Sequence, residues 1–61
     1  MTAKIYDELF ETEPVELPDV KKVTYYSVSG VVRITYQRDN ELHTMSINME
    51  QNIYKRRIEF I

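Results

Sequence analysis

The stretch Tyr26–Met49, YSVSGVVRITYQRDNELHTMSINM, decides the fold that this sequence predicts. On its first arm, every second residue from Tyr26 to Tyr36 belongs to an apolar row, and the residues between them are mostly polar. Because side chains in a strand alternate between its two faces, this arm is predicted to be a strand with one apolar face. The second arm repeats the pattern at Met45, Ile47 and Met49. The stretch therefore predicts an antiparallel β-hairpin.

Asp39 and Asn40 form the predicted two-residue turn of this hairpin, because both residue types tolerate the left-handed backbone that a tight turn requires. The turn fixes three cross-strand pairs on the apolar face, namely Tyr36 with His43, Ile34 with Met45, and Val32 with Ile47. The turn and the apolar pattern thus predict the same register.

Gly30 is the only glycine of the chain and lies within the first arm. The alternation continues through it, which favours one long strand that is bent at Gly30, since a glycine within a strand is typical of a kink or bulge. A break at Val28–Gly30, which would separate two shorter strands, remains the alternative.

Residues 1–12 are predicted to form a short acidic helix. Ile5, Leu9 and Phe10 would form a narrow apolar stripe along it, and Thr2 is a candidate N-cap. A helix of this length is not stable alone, so we expect it to pack on the rest of the chain.

Residues 13–19 are predicted to be an extended connector, because Pro14 and Pro18 disfavour helix at either end of it. In the tail, residues 53–61, the content of aromatic residues and isoleucine favours a strand that follows a turn at Gln51-Asn52. In that register Met49 pairs with Tyr54 and Met45 with Ile58. A tail helix remains the alternative, with Tyr54, Ile58 and Ile61 on one side.

The predicted architecture is a single α+β domain over residues 1–61. A short N-terminal helix and the connector precede a β-rich body, residues 20–61, that is folded as a three-stranded antiparallel meander.

Composition limits what this domain can be. A chain of 61 residues buries only about 60% of its unfolded surface, so its core is marginal. It has no cysteine and one histidine, which excludes a disulfide and argues against structural zinc; no cofactor is expected. Additional burial is therefore expected from a partner, and a homodimer is the simplest one. No apolar run is long enough for a membrane helix, and a cytoplasmic location is expected.

Charge is unevenly distributed along the chain, whose net charge is −2. Residues 1–19 carry six acidic side chains against Lys4 and sum to −5, whereas residues 20–61 sum to +3. Either the acidic leader folds over the basic body, or each part serves a different partner.

The first functional hypothesis is a small non-enzymatic module that binds another protein, as an inhibitor or accessory factor that docks on a larger protein. Acidic residues of the leader would contact a basic surface, and methionines would form an adaptable apolar contact. The candidate protein-binding residues are Asp7, Glu8, Glu11, Glu13, Met45 and Met49.

The alternative hypothesis is a face of the sheet that binds single-stranded nucleic acid through cations and a stacking aromatic ring. Its candidate residues are Tyr25, Arg33, Lys55 and Arg57. The run Lys55-Arg56-Arg57 has two structural interpretations as well, a charged strand edge or an internal ion pair with the acidic leader.

Catalysis is not predicted. His43 has no nucleophile or carboxylate partner in the pattern and is expected to pack beside Tyr36 in the hairpin. No pair of carboxylates has a spacing that suggests acid–base chemistry, and no catalytic or metal-binding residue is predicted.

Overall fold

The computed structural model describes residues 1–7, 13–50 and 56–61, which form six strands in two antiparallel sheets. The strands are β1 (Ala3–Tyr6), β2 (Val15–Leu17), β3 (Val20–Tyr26), β4 (Val31–Arg38), β5 (Glu41–Asn48) and β6 (Arg57–Phe60). Sheet A has the order β2-β1-β6, and sheet B has the order β3-β4-β5. The described fold is all-β, so the predicted α+β class is wrong.

The β4–β5 hairpin has the predicted turn and register. Asp39 and Asn40 have φ angles of 54° and 64°, the left-handed conformation that their side chains tolerate. Tyr36 pairs with His43, and the ladder continues without a shift to the pair of Val31 and Asn48. The apolar alternation determined this register because a shift by one residue would turn the core residues to solvent.

Gly30 ends the continuity of the first arm. It has a φ of 70°, and its N–H donates a 2.8 Å hydrogen bond to the carbonyl oxygen of Tyr26, which closes a loop between β3 and β4. The single long strand bent at Gly30 is therefore wrong, and the alternative, a break at Val28–Gly30 that separates two shorter strands, is confirmed. The left-handed backbone of Gly30 allows the loop between β3 and β4 to reverse the direction of the chain. The apolar alternation that runs through Gly30 therefore does not indicate a single strand.

The predicted N-terminal helix is wrong where the structure describes it. Ala3–Tyr6 is a strand because it pairs on both sides, with β2 and with β6. Ala3 and Ile5 are buried on one face, as the alternation of a strand requires. Residues 8–12, with the rest of the predicted apolar stripe, lie outside the described residues.

The connector and the tail are both extended, as predicted, but both pair with β1 in sheet A and not with the hairpin. The connector contains β2, an edge strand between Pro14 and Pro18. Strand β6 confirms the tail strand over Arg57–Phe60, yet it pairs with β1, so that Ile58 lies opposite Ile5 rather than Met45. The predicted meander is wrong for this reason, and its turn at Gln51-Asn52 lies outside the described residues.

The core lies between the inner faces of the two sheets. Among the described residues it consists of Ala3, Ile5 and Leu17 from sheet A with Ile34 and Ile47 from sheet B. The strands of sheet A have three, four and four residues, whereas those of sheet B have seven, eight and eight. Sheet A is therefore too small to cover the whole inner face of sheet B.

Gly30→Ala is expected to destabilise the fold by about 1–3 kcal/mol, because an L-residue is strained at positive φ. A Cβ at this position would also collide with the side chain of Glu50. Urea unfolding measures the change. Asn40→Gly is the matched control, because it relieves a left-handed residue and should leave the free energy of unfolding equal or higher. Equal stability of Gly30→Ala and wild type would contradict this account of the loop.

Candidate functional site

An exposed apolar strip, which we call the β3 strip, extends from the core along the edge of sheet B. Val23 and Tyr25 lie opposite Ile34 and Val32, which places them on the inner face of the sheet. They are nevertheless 42% and 60% exposed, and Val28 in the following loop is 98% exposed. The β3 strip consists of these three residues, Val23, Tyr25 and Val28. It is exposed because sheet A covers the β4 and β5 part of sheet B instead.

Two lysines directly precede the β3 strip in the chain. Lys21 and Lys22 are exposed residues of the same strand, and the β3–β4 register shifts between Val20 and Lys22. Such a bulge leaves one residue out of the ladder and twists the edge. Lys22 pairs with Thr35 and so lies on the face opposite to Val23 and Tyr25, which leaves Lys21 as the cation next to the strip.

The outer face of sheet B has a composition different from that of its inner face. By register its three strands contribute Lys22, Thr24 and Tyr26, then Val31, Arg33, Thr35 and Gln37, then Leu42, Thr44, Ser46 and Asn48. Among these described positions there are two cations and no carboxylate. The Arg33 guanidinium lies 5.3 Å from the ring centre of Tyr26, a cation–π distance. This face is thus mildly positive and carries one exposed ring.

The outer face of sheet A is neutralised by its own contacts. Lys4 and Glu16 form a 3.6 Å ion pair, and Arg57 and Glu59 form one of 3.5 Å. The Arg57 guanidinium also lies 4.3 Å from the ring centre of Tyr6. Its charge is therefore compensated in part by Glu59, although its side chain is 64% exposed.

Asp7 and Arg56 form the ion pair that joins the end of β1 to the beginning of β6. The Arg56 Nε donates to the Asp7 carboxylate at 2.6 Å, with the Asp7 side chain 5% exposed and that of Arg56 20% exposed. Arg56 Nη1 also donates to the carbonyl oxygen of Asn48 at 2.7 Å, at the end of β5. This pair connects the two sheets and confirms, for Arg56, the predicted internal ion pair with the acidic leader.

The candidate protein-binding residues do not form one surface in the described structure. Asp7 is buried in its ion pair, while Glu13 is exposed. Met45 and Met49 are partly buried and pack against the core cluster, which fits the filling of a core better than an exposed contact. Glu8 and Glu11 lie outside the described residues.

The candidate nucleic-acid residues are also separated. Tyr25 pairs with Val32 and Arg33 with Thr24, so Tyr25 and Arg33 lie on opposite faces of sheet B. Arg57 belongs to sheet A, and Lys55 lies outside the described residues. The ring beside Arg33 is that of Tyr26, which is not among the residues predicted from the sequence. A break at Gly30 would have indicated Tyr26, because a four-residue loop pairs Tyr26 with Val31 and Thr24 with Arg33. Tyr26 and Arg33 then lie on the same face of the sheet.

The ring of His43 stacks on that of Tyr36, with centroids 5.5 Å apart, which confirms the packing role predicted for it. Within residues 1–7, 13–50 and 56–61, no group of three or more histidine or acidic side chains is arranged to hold a metal ion. The same described ranges contain no helix of the length and apolarity that crossing a bilayer requires.

Comparison with known proteins gives no relative: no protein-family model matches the chain, no curated protein is significantly similar in sequence, and no solved structure is significantly similar in fold.

Asp7→Asn is expected to lower the free energy of unfolding by about 2–3 kcal/mol, because it leaves the poorly exposed Arg56 cation without its counter-charge. A double-mutant cycle with Arg56→Met, measured by urea unfolding, isolates a coupling energy of about 1–3 kcal/mol. Glu16→Gln, in the more exposed pair with Lys4, is the control and should cost less than about 0.5 kcal/mol. A coupling energy near zero would show that the Asp7–Arg56 pair does not connect the sheets energetically.

Proposed function

We propose that this protein is a small non-enzymatic module that binds another protein through the β3 strip. The observation that carries the proposal is that Val23 and Tyr25 lie on the inner face of sheet B, in line with the core, and are still exposed. Contiguous exposed apolar side chains that extend a core are typical of interaction sites.

Tyr25 is the proposed anchor of the contact. A tyrosine has a large apolar ring and a polar tip, and such residues contribute more than their share of binding energy in protein interfaces. The backbone of Tyr25 is held in the β3 ladder, where it pairs with Val32, so binding has to order only its side chain.

The partner that fits this surface is an apolar segment flanked by acidic side chains. Lys21, at the bulge that precedes the β3 strip, would face those carboxylates, whereas Lys22 belongs to the outer face of sheet B. Such charges at the rim of an interface raise the association rate and select against basic partners more than they raise affinity. The role of inhibitor or accessory factor, and the cytoplasmic location, stay predictions.

Tyr25→Ala is expected to weaken partner binding by about 30-fold or more, the effect of losing one interface anchor. Tagged wild-type and variant proteins are used to capture partners from nuclease-treated host lysate, and the captured protein is then purified and titrated by calorimetry. Tyr26→Ala is the matched control, since it removes the same side chain from the outer face of the same strand.

Equal loss of affinity in Tyr25→Ala and Tyr26→Ala would exclude the β3 strip as the binding surface. Capture that depends on neither tyrosine would exclude it as well. Capture that disappears on nuclease treatment would instead favour the second candidate function.

The second candidate is binding of single-stranded nucleic acid on the outer face of sheet B. It is supported by the lack of any carboxylate at the described positions of this face, together with the stacked Tyr26 and Arg33. The protein as a whole is acidic, which makes this the weaker candidate.

For this candidate, fluorescence anisotropy with a labelled oligothymidylate should give an affinity that falls with salt. Two phosphate contacts, from Lys22 and Arg33, predict a slope of about −1.4 in log K against log salt concentration. Arg33→Ala should halve that slope, while Arg57→Ala on sheet A should leave it unchanged. A slope of zero, or an unchanged slope in Arg33→Ala, would contradict nucleic-acid binding by this face.

A further inference from the structure

Strand β3 forms one edge of sheet B, and it is exposed along most of its length. No described strand pairs with its outer side. Five of its seven residues are exposed, among them Val23, Tyr25 and Tyr26 at 42%, 60% and 42%. The chain is described without a gap from residue 13 to residue 50, so the segments that flank β3 in the sequence belong to the described structure. The edge of β3 is therefore accessible together with the side chains of the β3 strip.

The register determines which backbone groups of β3 point outward. Gln37 N–H donates to the carbonyl oxygen of Asp19 at 3.1 Å, so the odd-numbered residues of β4 direct their hydrogen-bonding groups towards β3. The β4 residue opposite Thr24 is odd-numbered and therefore exchanges bonds with Thr24. Since hydrogen-bonded pairs alternate in an antiparallel ladder, the N–H and carbonyl groups of Val23 and Tyr25 point away from β4.

The outward backbone groups thus belong to the two residues of β3 whose side chains form the β3 strip. Val23 and Tyr25 each present an N–H and a carbonyl at the edge and an exposed side chain on the inner face. Recognition by strand addition uses this combination, in which main-chain bonds give affinity and alternate side chains give specificity. The bulge does not interrupt it, because the register shifts before Lys22 and not after it.

We propose that the β3 strip binds an extended segment of its partner by strand addition, in antiparallel orientation, so that sheet B gains a fourth strand. This proposal rests on the proposed function of the β3 strip and adds to it the conformation and the sequence pattern of the bound segment. Residues of the segment opposite Val23 and Tyr25 exchange backbone hydrogen bonds with them and place apolar side chains on the inner face.

Charge complementarity defines the rest of the segment. Strand β3 contains two cations, Lys21 and Lys22, and no carboxylate. Neither lysine forms an ion pair with a described side chain, whereas Lys4 and Arg57 in sheet A do. An added strand has side chains on both faces, so it meets Lys22 on the outer face as well as Lys21 beside the strip. Opposite charges stabilise a cross-strand pair, so acidic residues are expected at these positions.

The resulting pattern of the segment, from its amino to its carboxyl end, is apolar, polar, apolar, acidic, acidic. The apolar positions lie opposite Tyr25 and Val23, the polar position lies opposite Thr24, and the first acidic position lies opposite Lys22. Lysines on an edge strand also discourage pairing with unsuitable strands. The edge of β3 is therefore expected to select an acidic strand and to reject a basic one.

The first test uses the peptide GTVTVEEG as probe, amidated at its carboxyl end and labelled with fluorescein at its amino end. Its valines would lie opposite Tyr25 and Val23, and its first glutamate opposite Lys22. Fluorescence anisotropy should give a Kd of about 0.1 mM or lower. The control peptide GVVTTEEG has the same composition without the alternation and should bind about tenfold more weakly. Equal binding of the two peptides, or binding of neither, would overturn the proposal.

The second test separates backbone pairing from contact of side chains alone. In the proposed register the N–H groups of both valines of GTVTVEEG face β3, and that of the threonine between them faces away. N-methylation of the valine opposite Val23 should weaken binding about tenfold or more, because it removes a hydrogen bond and leaves a carbonyl unpaired. N-methylation of that threonine is the matched control and should change the Kd by less than about twofold. Equal effects at the two positions would exclude strand addition.

Hydrogen exchange, measured by nuclear magnetic resonance, locates the pairing on the protein. The outward N–H groups of Val23 and Tyr25 should exchange about tenfold more slowly when the peptide GTVTVEEG is saturating, because they become hydrogen-bonded. The N–H of Thr24 already bonds to β4 and is the internal reference that should change little. A bound state in which Val23 and Tyr25 gain no protection would contradict the proposed ladder.

Reversal of charge tests the acidic positions. Lys22→Glu should weaken binding of GTVTVEEG about threefold or more, because two carboxylates then lie opposite each other. It should strengthen binding of the peptide GTVTVKKG by a similar factor, which also shows that the variant is folded. Lys4→Gln, on sheet A, is the control and should alter neither affinity. A Lys22→Glu variant that treats both peptides as wild type does would refute the charge assignment.

A second copy of the chain is the other occupant to be tested. Analytical ultracentrifugation over a range of concentrations should give the same mass for wild type and for Tyr25→Ala. A wild-type dimer that Tyr25→Ala dissociates would show that a second copy occupies β3, and it would overturn the partner proposed here.

Failure of strand addition and failure of the proposed function have different signatures. Partner capture that requires Tyr25, together with peptide binding that is insensitive to N-methylation, would keep the β3 strip as the binding surface and exclude strand addition. Partner capture that does not require Tyr25 would exclude the proposed function and strand addition with it.

Discussion

The position of β1 between β2 and β6 is the constraint on which the rest of the structure depends. It brings the two ends of the chain together, and Thr2 and Ile61 exchange backbone hydrogen bonds of 2.8 and 2.9 Å. Sheet A forms only when residues from both ends of the chain have met. Ile34 and Ile47 on the inner face of sheet B depend on it for burial, because three of the five core residues that the structure describes belong to sheet A.

The unequal size of the sheets explains where the protein offers contacts. The short strands of sheet A cover the residues of β4 and β5 that form the core, and Val23 and Tyr25 on β3 are left exposed. Strand β5 is at the other edge of sheet B, where no described strand pairs with its outer side.

The charges of the chain follow a similar division. On sheet A, lysine, arginine and glutamate are combined in pairs, and Asp7 with Arg56 links that sheet to the end of β5. On the outer face of sheet B, Lys22 and Arg33 have no carboxylate among the described positions around them. A count of charges along the chain shows an acidic leader and a basic body, but the fold compensates part of both.

The sequence by itself determined the β4–β5 hairpin, its turn at Asp39-Asn40 and the extended tail, because strand alternation and turn preference are local properties of the chain. Only the tertiary structure decided that β1 is a strand and which strands β1, β2 and β6 pair with. Their partners are distant in the chain, and four residues such as Ala3–Tyr6 are a strand only when both neighbours are present. The candidate site also depends on tertiary structure, since the face of sheet B on which Tyr25 lies is set by whether the chain reverses at Gly30. Alternation alone does not show that reversal, because a glycine adopts a left-handed or an extended backbone at similar cost, and the packing around it selects between them.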